Sequence, residues 1–548
     1  MDRWMPSVRF VPVPTLLRSL VVGSALIAGA VVPAGIALAG EPTGTTVVGT
    51  LLQAYPESKD GAAGAEQPIS WVQNAEGDTF RIPTDDVDGI DPGTTVRVTV
   101  DPADEKSGAD PLYDVTGTTV VTPAPSAPVL RDPAGTTNQV TVVRVNPDGT
   151  APDGVTVQQL VDVVDNQVAD FWSEQSNGAI SVGVTRTVAD WVTPAAGCAD
   201  PTAMWNEVAA TVGFTPGPGK HLMLYVSHAA TNCSYALGEV GSSPASGGRL
   251  YVRDTLASVI AHELGHNFGL GHSSGQQCDA AVESAACTTT AYRDYYDVMG
   301  VSWARLGTLN APQAARLGVL PAAQQQALTQ QGRATTVTLA PFAGRTGIRA
   351  LRLTDADGVD YWLEYRTATG RDAWLGTTDN RYHLQTGVLL RRAGGLPDTS
   401  LLLDGTPSAA AGWRTDLQEA IPVGTPVPVS GGDFTVVVRS ADAGGAVLDV
   451  TPAPPAGTGA APKAPRPAAT APEVLPGAAS PASQAGGTAG FGAPAYEAPR
   501  PVTASPKLES AADSTTGAGV LVPVAGAFLA GAGLLGVGVA RRVRTRRS

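Results

Sequence analysis

Asp254–His272, DTLASVIAHELGHNFGLGH, sets His262, Glu263, His266, Gly269 and His272 in the order H-E-x-x-H-x-x-G-x-x-H. Two histidines four residues apart share one face of a helix, so both imidazoles can reach a single metal ion. Gly269 can take the left-handed conformation that ends a helix, and the returning chain would bring in His272 as a third ligand. Three neutral imidazoles on a tetrahedral ion leave one position for water, the arrangement of one catalytic zinc ion and not of a structural one. Glu263 adjoins the first ligand and is placed to take the proton from that water. Chance yields on the order of 10⁻⁶ such extended patterns in a chain of this composition. A closed structural site would recruit a fourth Cys or His nearby and has no use for the glutamate.

The elements that must hold these residues read as an α/β domain over residues 126–325. Leu256, Ile260 and Leu264 recur every four residues, which predicts a helix over Thr255–Phe268 with one buried stripe, capped by Asp254 or Thr255. Before it, QVTVVRV reads as a strand and Thr156–Glu174 as a helix. Ala179–Thr187 follows as a strand, Pro201–Val212 as a helix, His221–His228 as a buried strand and Arg249–Arg253 as a strand leading into the His262 helix. Ala311–Leu317 is a short helix. His221 and His228 flank a core strand and read as structural, and His383 lies in another domain.

A second mark is Asp297-Val298-Met299-Gly300, with Met299 27 residues after His272. The two motifs together resemble the metzincin zinc endopeptidases, and AYRDYYDVMG with LNAPQAARLGVL is most similar to the gametolysin-like branch of that clan. The resemblance covers about 137–320. It implies a metzincin-type catalytic domain: a twisted mixed sheet, a zinc helix, and a Met-turn whose Met299 packs beneath the ligands. It also implies that Arg249–Arg253 borders the cleft, where an exposed strand edge can pair with an extended substrate backbone. Some metzincins place a tyrosine two residues after the methionine. Val301 stands there in this chain, so no tyrosine contribution is expected from the turn. The function implied is a zinc metalloendopeptidase acting on extracellular proteins or peptides. The rival reading is a catalytically idle metzincin-like adhesion protein, and the presence of Glu263 argues against it.

Flanking segments set the context. Residues 1–39 have a basic start, an apolar run and Ala37-Leu38-Ala39 as a cleavage site, a secretory signal peptide. Residues 40–125 alternate short β-rich runs with turns and read as a small β domain whose position resembles a pro-region, with a substrate-binding or spacer module as the alternative. It has no cysteine to block a zinc ion, and nothing singles out one aspartate among Asp85, Asp86 and Asp88 for that task. Residues 330–452 read as a β-sandwich-like domain. Residues 453–516 form an Ala/Pro/Gly-rich stalk, 519–540 are apolar enough for a transmembrane helix, and the basic 541–548 belongs on the cytoplasmic side. A cell-wall link at Thr516-Gly517 is the alternative tether.

The net charge is -14, and setting aside the +2 of residues 1–39 and the +5 of 541–548 leaves -21 on the body. So acidic a surface excludes nucleic acid as a partner. Five lysines among 36 basic residues, with abundant Ala, Gly, Pro and Val, match a GC-rich actinobacterial genome. Cys198, Cys233, Cys278 and Cys287 read as two disulfides in an exported chain. Three pairings are open, and proximity favours Cys198–Cys233 and Cys278–Cys287. The pattern assigns no calcium ligand and no oligomeric state.

Overall fold

Val140, Val142, Val143 and Val145 bury both faces of β6 (Asn138–Val145), as a strand inside a parallel sheet must. The computed structural model describes residues 44–453 except 59–67, 102–109, 125–135, 285, 302–304 and 413–414. The expected signal peptide, the stalk beyond 453, the 519–540 segment and the basic tail lie outside the described residues. Among the described residues no helix is long and apolar enough to cross a membrane.

Five strands precede β6: β1 (Thr45–Glu57), β2 (Ile69–Gln73), β3 (Thr79–Ile82), β4 (Thr95–Val100) and β5 (Val115–Thr122). After it come α1 (Val157–Asp162) and α2 (Ala169–Gln175), joined by a π-helical stretch at Val163–Val168. Thr156 and Gln159 form a reciprocal capping box at their start. Then follow β7 (Val182–Thr187), α3 (Pro201–Val212), β8 (Lys220–Val226), β9 (Ala236–Glu239), β10 (Gly248–Val252) and α4 (Ala257–Asn267). β6 pairs parallel with β7 and β8, β8 parallel with β10, and β9 runs antiparallel on the far side of β10. Parallel strands need long crossovers; helices supply those from β6 to β7 and from β7 to β8, while β8 reaches β10 through β9, an arrangement compatible with an α/β domain.

Two expectations are corrected here. Arg249–Arg253 is not at a sheet edge: β10 is flanked by β8 and β9, and β9 in turn by β10 and β1. Neither Asp254 nor Thr255 caps α4, whose N-cap is Leu256 with no side-chain bond. The Asp254 carboxylate is engaged elsewhere, accepting from the Thr255 N–H at 2.7 Å and the Tyr235 hydroxyl at 3.0 Å.

β1 joins β9 antiparallel, so the N-terminal strands and the α/β strands form one 10-stranded sheet. The N-terminal segment nevertheless has its own core, built from Val47, Leu51, Val72, Ile82, Val96 and Val98 among others.

The remaining strands are β11 (His272–Cys278), β12 (Cys287–Thr290), β13 (Gln325–Thr329), β14 (Thr335–Leu339), β15 (Ala350–Thr354), β16 (Asp360–Arg366), β17 (Gly387–Ala393), β18 (Asp398–Leu403), β19 (Pro426–Val429), β20 (Phe434–Asp442) and β21 (Gly445–Pro452), with α5 (Ala311–Arg316) after β12. A seven-stranded sheet, β12-β11-β18-β17-β16-β15-β13, shares a core with a four-stranded sheet, β14-β21-β20-β19. The sandwich therefore reaches back across residue 330 and includes β11, which begins with His272. Cys198–Cys233 and Cys278–Cys287 are both bonded, the latter clamping the β11–β12 pair.

Candidate metal centre

Helix α4 is buried on every side from Ser258 to Asn267, not along one stripe, because it lies between the large sheet and the segment around Met299. It ends in a Schellman motif. The Leu270 N–H donates to Gly265 O at 3.0 Å and the Gly269 N–H to His266 O at 2.8 Å, with Gly269 at φ 94°. This turn delivers His272 to the first position of β11. His262, His266 and His272 thus converge as expected, and they converge on a fourth residue, Glu57, at the end of β1.

Glu57 Oε1 lies 3.4 Å from His262 Nε2, 3.3 Å from His266 Nε2 and 3.1 Å from His272 Nε2. A tetrahedral ion with ligands at about 2.0–2.1 Å sets ligand–ligand separations of about 3.3–3.4 Å. The tautomers agree with such an ion. His262 Nδ1–H donates to Val298 O at 2.6 Å and His266 Nδ1–H to Leu270 O at 2.8 Å. In the neutral rings both Nε2 lone pairs then face the carboxylate oxygen, a repulsive arrangement that a cation between them relieves. Burial first of all pushes the His266 imidazole down to about 4, so it is neutral at pH 7 and able to ligate. Burial works against the Glu57 charge, but His262 and His272 outweigh it and hold the carboxyl well below the usual range. These four residues fit a metal ion.

Glu263 sits on α4 with both carboxylate oxygens buried and without a hydrogen-bond partner. Burial, then the neighbouring Glu57 charge, raises its pKa well above the ordinary value. Strand β9 passes directly over it: a Cβ on Gly238 would come within 2.7 Å of Glu263 Oε2. Glu263 faces the site without entering the ligand set, as a proton acceptor should.

Met299 is fully buried in the core against Gly265 of α4. A Cβ on Gly265 would collide with Met299 Sδ and come within 3.5 Å of Trp172. Gly265→Ala gains about 1 kcal/mol of helix propensity and forces overpacking that costs about 1–3 kcal/mol. The expected result is a lower melting temperature together with weaker metal retention. A more stable variant with full metal content would show that Met299 does not support the ligands.

The third ligand is held by the sandwich. The His272 N–H donates to Pro397 O at 2.8 Å and β11 pairs parallel with β18. Ser273 Oγ donates to Asp294 Oδ2 at 2.6 Å, and Asp294 is ion-paired with Arg391 of β17. Arg391 Nε also reaches Glu364 of β16 at 2.9 Å, and Glu364 is bonded to Arg366 at 2.8 Å. All four charged side chains are buried. Asp297 accepts from the Met299 N–H at 2.8 Å and the Asn310 N–H at 2.6 Å. Burial and the nearby Asp294 push it up to about 7.

His221 and His228 stay out of the site, as expected. His221 is buried between Asn267 and Asn138, at 2.9 Å from each, and burial pushes it down to about 4. His228 binds Asp153. Three residues at the centre carried no sequence signal. Glu57 lies 209 residues before His266. Tyr55 packs its ring 5.1 Å from His266 and 4.8 Å from His272. Tyr292, at φ 59°, packs its ring 4.0 Å from that of His272, tilted by 43°, and hydrogen-bonds Glu57. A tyrosine therefore does reach the centre, from before Met299 and not from position 301. The run YRDYYD at Tyr292 was legible as aromatic, but only the fold shows which ring turns inward.

No family model and no curated protein matches the chain. Among solved structures that do, one described as "Structure of a chaperone-substrate complex" is 14% identical, with a TM-score of 0.20. The match covers 44% of this chain and about a third (35%) of that one, and a likeness at this level carries no argument.

Proposed function

We propose that this protein is an exported zinc endopeptidase of metzincin type, held at the cell surface by its C-terminal segment. The observation that carries the reading is the pairing of three converging Nε2 atoms with a buried, unligated Glu263 beside them. Zinc, when bound, supplies a Lewis acid that polarises a carbonyl and acidifies water. His262, His266 and His272 would hold it, with the Val298 and Leu270 carbonyls orienting the first two rings. Glu263 accepts the proton of the attacking water at its carboxylate and returns it to the leaving amine. With β1 displaced, the side of β9 that β1 now covers would take an extended polypeptide by strand addition, which would place a backbone carbonyl beside Glu263. Two disulfides accord with an oxidising, extracellular setting.

The test is a peptide-library digest with the full-length chain and with its Glu57→Ala variant, since Glu57 occupies the fourth position. One zinc ion per chain and internal peptide cleavage, lost to a chelator and restored by zinc, are expected. A zinc-loaded Glu57→Ala chain that cleaves nothing in a diverse library overturns the reading in favour of an idle, adhesive domain.

A further inference from the structure

We propose that Glu57 is the fourth ligand of the metal and that β1 is a built-in occupant of the polypeptide groove, so that the chain is latent while β1 stays in place. This rests on the peptidase reading for what is blocked, but the blocking contact stands on its own geometry.

Three imidazoles and a carboxylate close a tetrahedral ion and leave no position for water. Glu57 Oε1 stands at the corner such a water would take, equidistant to within a few tenths of an ångström from the three Nε2 atoms. Glu263 is then a base whose partner has been replaced, in keeping with two buried carboxylate oxygens that bond to nothing. Glu57, His262 and His266 have no exposure at all and His272 has 5%, so no polypeptide reaches the ion past β1.

The backbone of β1 behaves as a substrate strand would. It runs antiparallel to β9 in the register Ala54↔Glu239 to Glu57↔Ala236. The Tyr235 N–H donates to Glu57 O at 2.7 Å and the Val240 N–H to Gln53 O at 2.8 Å. Tyr55 covers the rings of His266 and His272, and the Tyr292 hydroxyl bonds the Glu57 carboxylate. Beyond Glu57 the groove opens into a cavity of about 350 Å³ bordered by Ser58, Tyr235, Arg253 and Asp254. A side chain following the metal-bound residue has room there.

The N-terminal segment also has a core of its own. Among the described residues it lends Ala54 and Trp71 to the buried core of the α/β layer, with Leu52 and Ile69 packed against that core. The plug is a glutamate on a strand, not one of the aspartates Asp85, Asp86 or Asp88, which lie in or beside the short 3₁₀ turn at Thr84–Val87.

The experiment uses full-length chains loaded with cobalt(II) in place of zinc: wild type, Glu57→Gln and Glu57→Ala. Acetohydroxamate is the probe of the fourth position, read by the visible absorption of the cobalt. Removal of an intramolecular competitor should tighten hydroxamate binding roughly tenfold or more, and peptide cleavage by the zinc forms should rise roughly 100-fold. The wild-type spectrum should not respond at hydroxamate concentrations that saturate the variants. A wild-type spectrum that shifts as readily as theirs overturns the proposal, and this arm needs no variant to fold. Equal cleavage by wild type and variants likewise overturns latency while leaving the peptidase reading intact. Variants that bind hydroxamate more tightly yet cleave nothing keep Glu57 as the ligand and remove the peptidase.

Discussion

Glu263→Ala, made in a chain that also carries Glu57→Ala, is expected to keep one metal ion and lose roughly 10²- to 10⁴-fold in kcat/KM, the usual contribution of a general base. Metal content should not change because Glu263 is not among the residues that could hold the ion, which in this background are His262, His266 and His272. Activity should fall because, among the described residues, the group that could hold the ion contains no carboxylate besides Glu57, which is replaced in this background. The background substitution matters: with Glu57 in place the wild-type rate is already suppressed and the comparison has no range. Folding is not at risk, since truncation removes a buried carboxyl that lacks a hydrogen-bond partner, and the variant should be as stable as its parent or more so. Loss of metal together with activity would mean that Glu263 is a ligand. Unchanged cleavage would remove the mechanism.

The second large effect is on stability, far from the metal. Arg391→Ala strands Asp294 and Glu364, both fully buried, without the guanidinium that binds them. Breaking one partner of a buried ionic network costs about 3–5 kcal/mol, because the remaining charges are left uncompensated. Asp294 also accepts from Ser273, the residue after His272, so the damage should reach the third ligand. Denaturant unfolding should show the loss, and metal affinity should weaken in the same variant. A chain that unfolds within 1 kcal/mol of wild type and holds its metal equally well would show that the sandwich does not brace the centre. At the level of sequence residues 330–452 read only as a β-sandwich-like domain. The structure makes it a co-builder, because β11 is a strand of its sheet.

What the sequence determined by itself is local. Spacing places His262 and His266 on one helical face whatever surrounds them, and Gly269 ends the helix because only a residue without Cβ turns there at low cost. The strands QVTVVRV and RLYVR, the helix Pro201–Val212 and the pairing of Cys278 with Cys287 are likewise consequences of nearby residues. Tertiary structure decided what is far apart in the chain. The β-rich run TVVGTLL reads as a strand, but nothing in it says that the strand runs on to Glu57 or which edge it pairs with. Pairing with β9 is what carries Glu57 to the histidines. The same holds for β10, whose pattern could not reveal that β9 would fold back outside it, and for Tyr292, whose inward turn depends on a positive φ set by the surrounding loop. A ligand set with three members in one eleven-residue motif and the fourth more than 200 residues away is legible only to the extent that its chemistry is local. Strand pairing is a property of two edges meeting, and a single sequence shows one edge at a time.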